Sequence, residues 1–140
     1  MQIKKIEDYI IVRLQRGEEL VSKLMEIAKE EGITLATVSG IGSFNYVKLG
    51  VYSVHEKKYY ANEFREELEL TSISGNLSTM DGKPYVHTHA NFGRMDGTVI
   101  GGHLNEARVC ATSEIFIHLI DGELDRFYDD EVGLNLLDLS

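Results

Sequence analysis

The residues best suited to chemistry are three histidines within 17 positions: His87 and His89 in Val86-His87-Thr88-His89, and His103 in Gly101-Gly102-His103-Leu104. On a strand, residues i and i+2 point to the same face. His87 and His89 then project side by side, ~7 Å apart at Cβ for a rise of roughly 3.3 Å per residue. Two imidazoles at that spacing can converge on one divalent ion, and neutral imidazole suits zinc, iron or nickel. Whether His103 joins them depends on the connection. An odd-numbered loop centred on Met95, between strands Pro84–Phe92 and Thr98–His103, pairs His87 with His103 and brings all three rings to one face. A tight two-residue Asp96-Gly97 turn pairs His103 with Ala90 instead and turns it away. Both connections fit the residues.

The remaining candidates carry less. His55 sits in the polar stretch His55-Glu56-Lys57-Lys58 and reads as a solvated loop residue. His118 alternates with Phe116 and Ile120 and reads as structural. Glu114 and Asp121 flank a strand and are candidate bases near a metal, in a chain where exposed carboxylates are common. Asp129-Asp130-Glu131 reads as a solvated turn. Gly40-Ile41-Gly42 lacks the third glycine of a dinucleotide fingerprint. There is no Walker loop, no H-E-x-x-H and no G-x-S-x-G. The single cysteine, Cys110, excludes an internal disulfide and a cysteine-rich zinc module. Its apolar neighbours Val109 and Ala111 predict a buried thiol.

The elements that must hold these residues follow from periodicity. Tyr9–Gln15 alternates with a period of two and predicts a strand. Glu18–Glu31 predicts the one convincing helix, with Leu20, Leu24, Ile27 and Ala28 on one stripe. Glu18 and Glu19 suit its positive end, and Gly32 stops it. Beyond Gly32 the period returns to two. Strands are predicted at Thr34–Ile41, Tyr46–Val54, Tyr59–Phe64, Leu68–Leu77, Pro84–Asn91, Thr98–His103, Glu114–Ile120 and Leu124–Tyr128, with a weaker signal at Leu134–Leu139. One helix followed by many short strands implies a single α+β domain over residues 1–140, with a mostly antiparallel sheet.

A length of 140 residues, 43% hydrophobic and 26% charged, is ordinary for one globular domain. The balance of 14 basic against 23 acidic residues gives a net charge of −9. Such a surface repels phosphate backbones and argues against nucleic-acid binding. Met1–Ile6 has no apolar core of a secretory signal, so a cytoplasmic location is the default expectation. No apolar run approaches the roughly 20 residues of a membrane span.

The ordered stretches Leu68-Glu69-Leu70-Thr71-Ser72-Ile73-Ser74-Gly75-Asn76-Leu77-Ser78, Gly82-Lys83-Pro84-Tyr85-Val86-His87-Thr88-His89 and Gly101-Gly102-His103-Leu104 resemble the plant-and-prokaryote conserved (PPC) domain. Val38-Ser39-Gly40-Ile41-Gly42-Ser43 and Ala111-Thr112-Ser113-Glu114-Ile115 fit the same family, and the resemblance runs through essentially the whole chain. It implies an antiparallel sheet flanked by a helix, assembly as a homotrimer, and a metal, usually zinc, on His87, His89 and His103. Plant members join this domain to AT-hook segments and act as DNA-binding regulators. The present sequence contains no Arg-Gly-Arg core of such a hook.

Three functions follow as alternatives. The first is a trimeric metal-binding module with an assembly or small-molecule-binding role. The second is a metal-dependent enzyme, since three histidines on zinc leave a fourth position open; Glu114, which matches the family's T-x-E pattern, is its candidate base. The third is a DNA-binding protein, as the family's label suggests.

Overall fold

A computed structural model describes residues 1–140. The chain opens with the hairpin β1 (Gln2–Ile6) and β2 (Tyr9–Gln15), followed by α1 (Leu20–Glu30). The strands β3 (Ala36–Ser53), β4 (Lys58–Phe64), β5 (Leu68–Met80), β6 (Lys83–Gly93) and β7 (Val99–Leu119) follow, and the ribbon β8 (Arg126–Asp129) and β9 (Leu134–Leu137) closes the chain. Every pairing is antiparallel. The α+β class expected from the periodicity is therefore the observed one.

Two differences from the expected elements have a common cause. Thr34–Ile41 and Tyr46–Val54 are one strand, β3, and Thr98–His103 and Glu114–Ile120 are parts of another, β7. Register shifts at Gly42/Phe44, Phe44/Tyr46 and Lys48/Leu49 accommodate both halves of each strand in one ladder. Each bulge inserts a residue and breaks the alternation on which sequence reading depends, while the strand bends and continues. β1 was not expected, because all five of its residues are exposed and their pattern follows no apolar face.

The long strands close the sheet on itself. β5 pairs with β3 on one edge and β6 on the other, β6 pairs with β7, and β7 pairs back to β3 from Ala36↔Leu119 to Gly50↔His103. This ring holds one core cluster of 24 residues, with Phe44 and Phe92 meeting edge-to-face at 5.6 Å. The helix delivers Leu20, Leu24, Ile27 and Ala28 to it, the four residues of the sequence stripe. The helix starts two residues later than the sequence indicates, at Leu20 instead of Glu18. Glu19 is its N-cap: the carboxylate accepts from the N–H groups of Val21 and Ser22, and also from Ala107 on β7. That last bond ties the cap to the sheet and explains a glutamate where a shorter side chain is usual.

Candidate metal centre

On β6 the inward positions Thr88, Ala90 and Phe92 are buried, so the odd-numbered His87 and His89 must face away from the core. β7 supplies the third ring. Its register with β6 pairs His89 with His103 and Gly93 with Val99. The connection is odd-numbered, as one of the two expected loops required, but it is centred on Asp96 rather than Met95. Asp96 Oδ1 accepts from the N–H and hydroxyl of Thr98, and Arg94 N–H donates to the Thr98 carbonyl, which sets the loop one residue further on. His103 therefore lies opposite His89, not His87. Parity is unchanged, so all three rings share one face.

Their ring centroids lie 5.2, 5.5 and 5.6 Å apart, and one nitrogen from each falls within 4.8 Å of the others. The backbone around them has no room for side chains at two positions. A Cβ on Gly75 would come within 2.1 Å of the His87 carbonyl oxygen, and one on Gly102 within 2.6 Å of the Gly50 oxygen. These contacts give physical meaning to the S-G-N and G-G-H motifs. Ser74, Gly75 and Asn76 pair with His89, Thr88 and His87, and glycine is what lets the strands bearing the histidines approach.

Two of the rings, His87 and His103, are held toward the neutral form. Burial, the nearby Arg126 charge and the two other histidines pull the His87 pKa down to about 4. Burial, then His89, also lowers that of His103. The hydrogen bonds of the pocket wall run around the rings and engage none of them: Tyr59 to Asn105, Arg126 to Ser78 and Asn76, Asn135 to Tyr85. Tyr59 instead meets His103 edge-on at 5.8 Å. Three converging imidazoles with their nitrogens free of protein donors, two of them (His87 and His103) held toward the neutral form, fit a divalent ion of the imidazole-preferring type. Beside them a cavity of about 810 Å³ runs between the sheet and the β8–β9 ribbon, which contributes Arg126, Leu134 and Leu136.

Glu114 does not belong to this site within the chain. It lies eleven residues beyond His103 on β7, paired with Arg13 and Ile41, and lines a separate shallow pocket with Ser43 and Glu69. A run of that length spans on the order of 30 Å. Asp121 lies in the connection after β7 and is exposed. Cys110 is half-buried and not buried as expected, because Val109 takes the inward position of the alternation. His55 is exposed in the β3–β4 turn, and His118 stacks on Tyr9 at 4.5 Å. The sequence reading passed over Arg126. Its one visible signal was rarity: it is one of only two basic residues among nine acidic ones from Asn105 to Ser140.

Comparison with known proteins gives the class and then individual similar structures. The model of the Plants and Prokaryotes Conserved domain matches residues 1–121, so the chain belongs to that family. A metal-containing protein from Archaeoglobus fulgidus is 37% identical, with a TM-score of 0.87, over 97% of this chain and 94% of that one. A plant- and prokaryote-conserved protein from Pyrococcus horikoshii is 31% identical, with a TM-score of 0.85, over 98% and 93%. A candidate DNA-binding protein from Bacteroides thetaiotaomicron is also 31% identical, with a TM-score of 0.96, over 98% and 96%. No curated protein matches the sequence.

Proposed function

We propose that this chain is a metal-binding protein in which His87, His89 and His103 hold one divalent ion, zinc by preference and iron or nickel within the same donor set, and that the adjoining cavity takes a small molecule. The observation that carries this reading is the convergence of three ring nitrogens within 4.8 Å. The metal-containing relative from Archaeoglobus fulgidus supports it. An ion bound here supplies a Lewis acid for a water or carbonyl oxygen. The chain's own part is to present three imidazole donors from two adjacent strands and to keep the cavity side of the rings open. His89→Ala is expected to reduce metal retention about a hundredfold or more, read by elemental analysis after dialysis, with the far-UV spectrum unchanged. Equal metal content in wild type and His89→Ala would remove the site.

We also propose that the protein is cytoplasmic and assembles as a homotrimer. The trimer rests on the family resemblance, with modest support from exposed apolar side chains such as Ile41, Val51 and Phe116. Of the strand Ile115-Phe116-Ile117, only Phe116 needs covering from outside, because Ile115 and Ile117 face the core. Light scattering at micromolar concentration is expected to give three times the chain mass; a clean monomer would contradict it.

The metal-dependent enzyme is the second reading, favoured by the cavity that opens beside the histidines. It needs a base other than Glu114 from the same chain. Turnover that disappears with the metal would select it. The DNA-binding reading comes from the Bacteroides relative, and the net charge of −9 weighs against it. Salt-dependent affinity for duplex DNA would favour that reading.

A further inference from the structure

Arg126 is 7% exposed and has no carboxylate partner, in a chain with 23 acidic residues. The four ion pairs of the molecule lie elsewhere. Its guanidinium is held in place by neutral acceptors alone. Nε donates to Ser78 Oγ at 2.9 Å, Nη2 to Asn76 Oδ1 at 2.8 Å, and Nη1 to the Asn135 carbonyl at 2.9 Å. One face lies over the Tyr85 ring at 4.5 Å. A guanidinium has five N–H donors, so one remains free on each terminal nitrogen. Arg94 illustrates the ordinary alternative: it is exposed and forms a two-pronged pair with Glu66. A buried, unneutralised charge is costly, yet Arg126 lines the same cavity as the three histidines.

We infer that this cavity binds a small organic carboxylate, with Arg126 as the anion anchor and the rest of the ligand directed toward His87, His89 and His103. The two free N–H groups match the two oxygens of a planar carboxylate. Asn76, Ser78 and Tyr85 hold the fork rigid, so little freedom is lost on binding. Leu134 and Leu136 offer apolar wall for a short carbon chain.

The inference rests on the reading of this pocket as a ligand site. It is tested on metal-free protein, so failure to bind an anion and failure to bind a metal are read separately. Acetate and lactate are titrated into the metal-free wild type by calorimetry, with acetamide, lactamide and inorganic phosphate as controls. Saturable binding of the carboxylates at millimolar concentration, with no binding of the amides and weaker binding of phosphate, is expected. Arg126→Lys keeps the charge but loses the fork and is expected to weaken lactate binding about tenfold. Arg126→Met is expected to abolish it, and metal content is expected to persist in any variant that melts cooperatively. If Arg126 only ties the ribbon to β5, wild type will bind neither carboxylate, which overturns the inference whatever the variants do. Equal affinity for lactate and lactamide, or for lactate and phosphate, overturns it as well.

Discussion

The two faces of β6 follow opposite rules. Inward, Ala90 and Phe92 belong to the apolar core cluster and Thr88 is buried beside them, and their contribution is burial. Outward, two residues from the same strand and one from its neighbour bring three polar rings together without hydrogen bonds from the wall around them. The inner face is stable as it stands, whereas the outer face places like groups side by side and leaves their nitrogens waiting for a partner. A strand that alternates faces lets one eleven-residue segment serve both purposes. The rigidity the site requires comes from the core directly behind it.

This contrast breaks first where the core is cut. Phe92→Ala is expected to cost about 3–5 kcal/mol of stability in urea denaturation, while the fraction that stays folded keeps its metal. His89→Ala, by contrast, should leave the denaturation midpoint of the metal-free protein nearly unchanged. Equal destabilisation by the two substitutions would show that the faces are not separable.

A smaller effect is expected from pH. The folded His87 pKa of about 4 lies below the ordinary 6.5, so the unfolded chain takes up a proton that the folded chain refuses. Stability of the metal-free protein from this group is complete above pH 6.5 and is lost as pH falls toward 4. Because His87 is already neutral at pH 6, metal binding there should release clearly fewer than the roughly 2.3 protons that three imidazoles of ordinary pKa would give up, read by calorimetry in two buffers of different ionisation enthalpy. A release of roughly 2.3 or more would contradict the lowered His87 pKa.

The smallest effect concerns the one defect of the inner face. Thr88 Oγ1 is buried with no hydrogen-bond partner. Thr88→Val keeps the shape and removes the unsatisfied hydroxyl, so a gain of about 1 kcal/mol is expected. A loss of similar size would mean that the hydroxyl has a partner in solution, such as a buried water.

Much of this architecture was legible in the residues, and the limits have physical reasons. The helix stripe and the His-x-His face follow from simple periods, which local backbone geometry enforces. His103 was legible only as a choice between loops, because one residue of loop length decides its face, and side chains of the loop itself decided the centre. The long strands were invisible as units, since bulges interrupt their period. Arg126 could not be found by pattern, because its significance is the absence of an acidic partner. That absence is a property of the folded neighbourhood and not of the sequence around it.

The pairing of β3 with β7 also bears on how the molecule comes into being. Ala36 meets Leu119 across 83 intervening steps of chain, and β7 is the last strand of the ring to be made. Closure must therefore await synthesis of nearly the whole domain. Contacts of such sequence separation place a protein among the slower folders, in milliseconds to seconds and not microseconds. Until then β3 and β6 each carry an unpaired edge able to pair with another chain. The histidine cluster, which needs β7, is assembled at the end of this process, so metal capture would report the final step of folding.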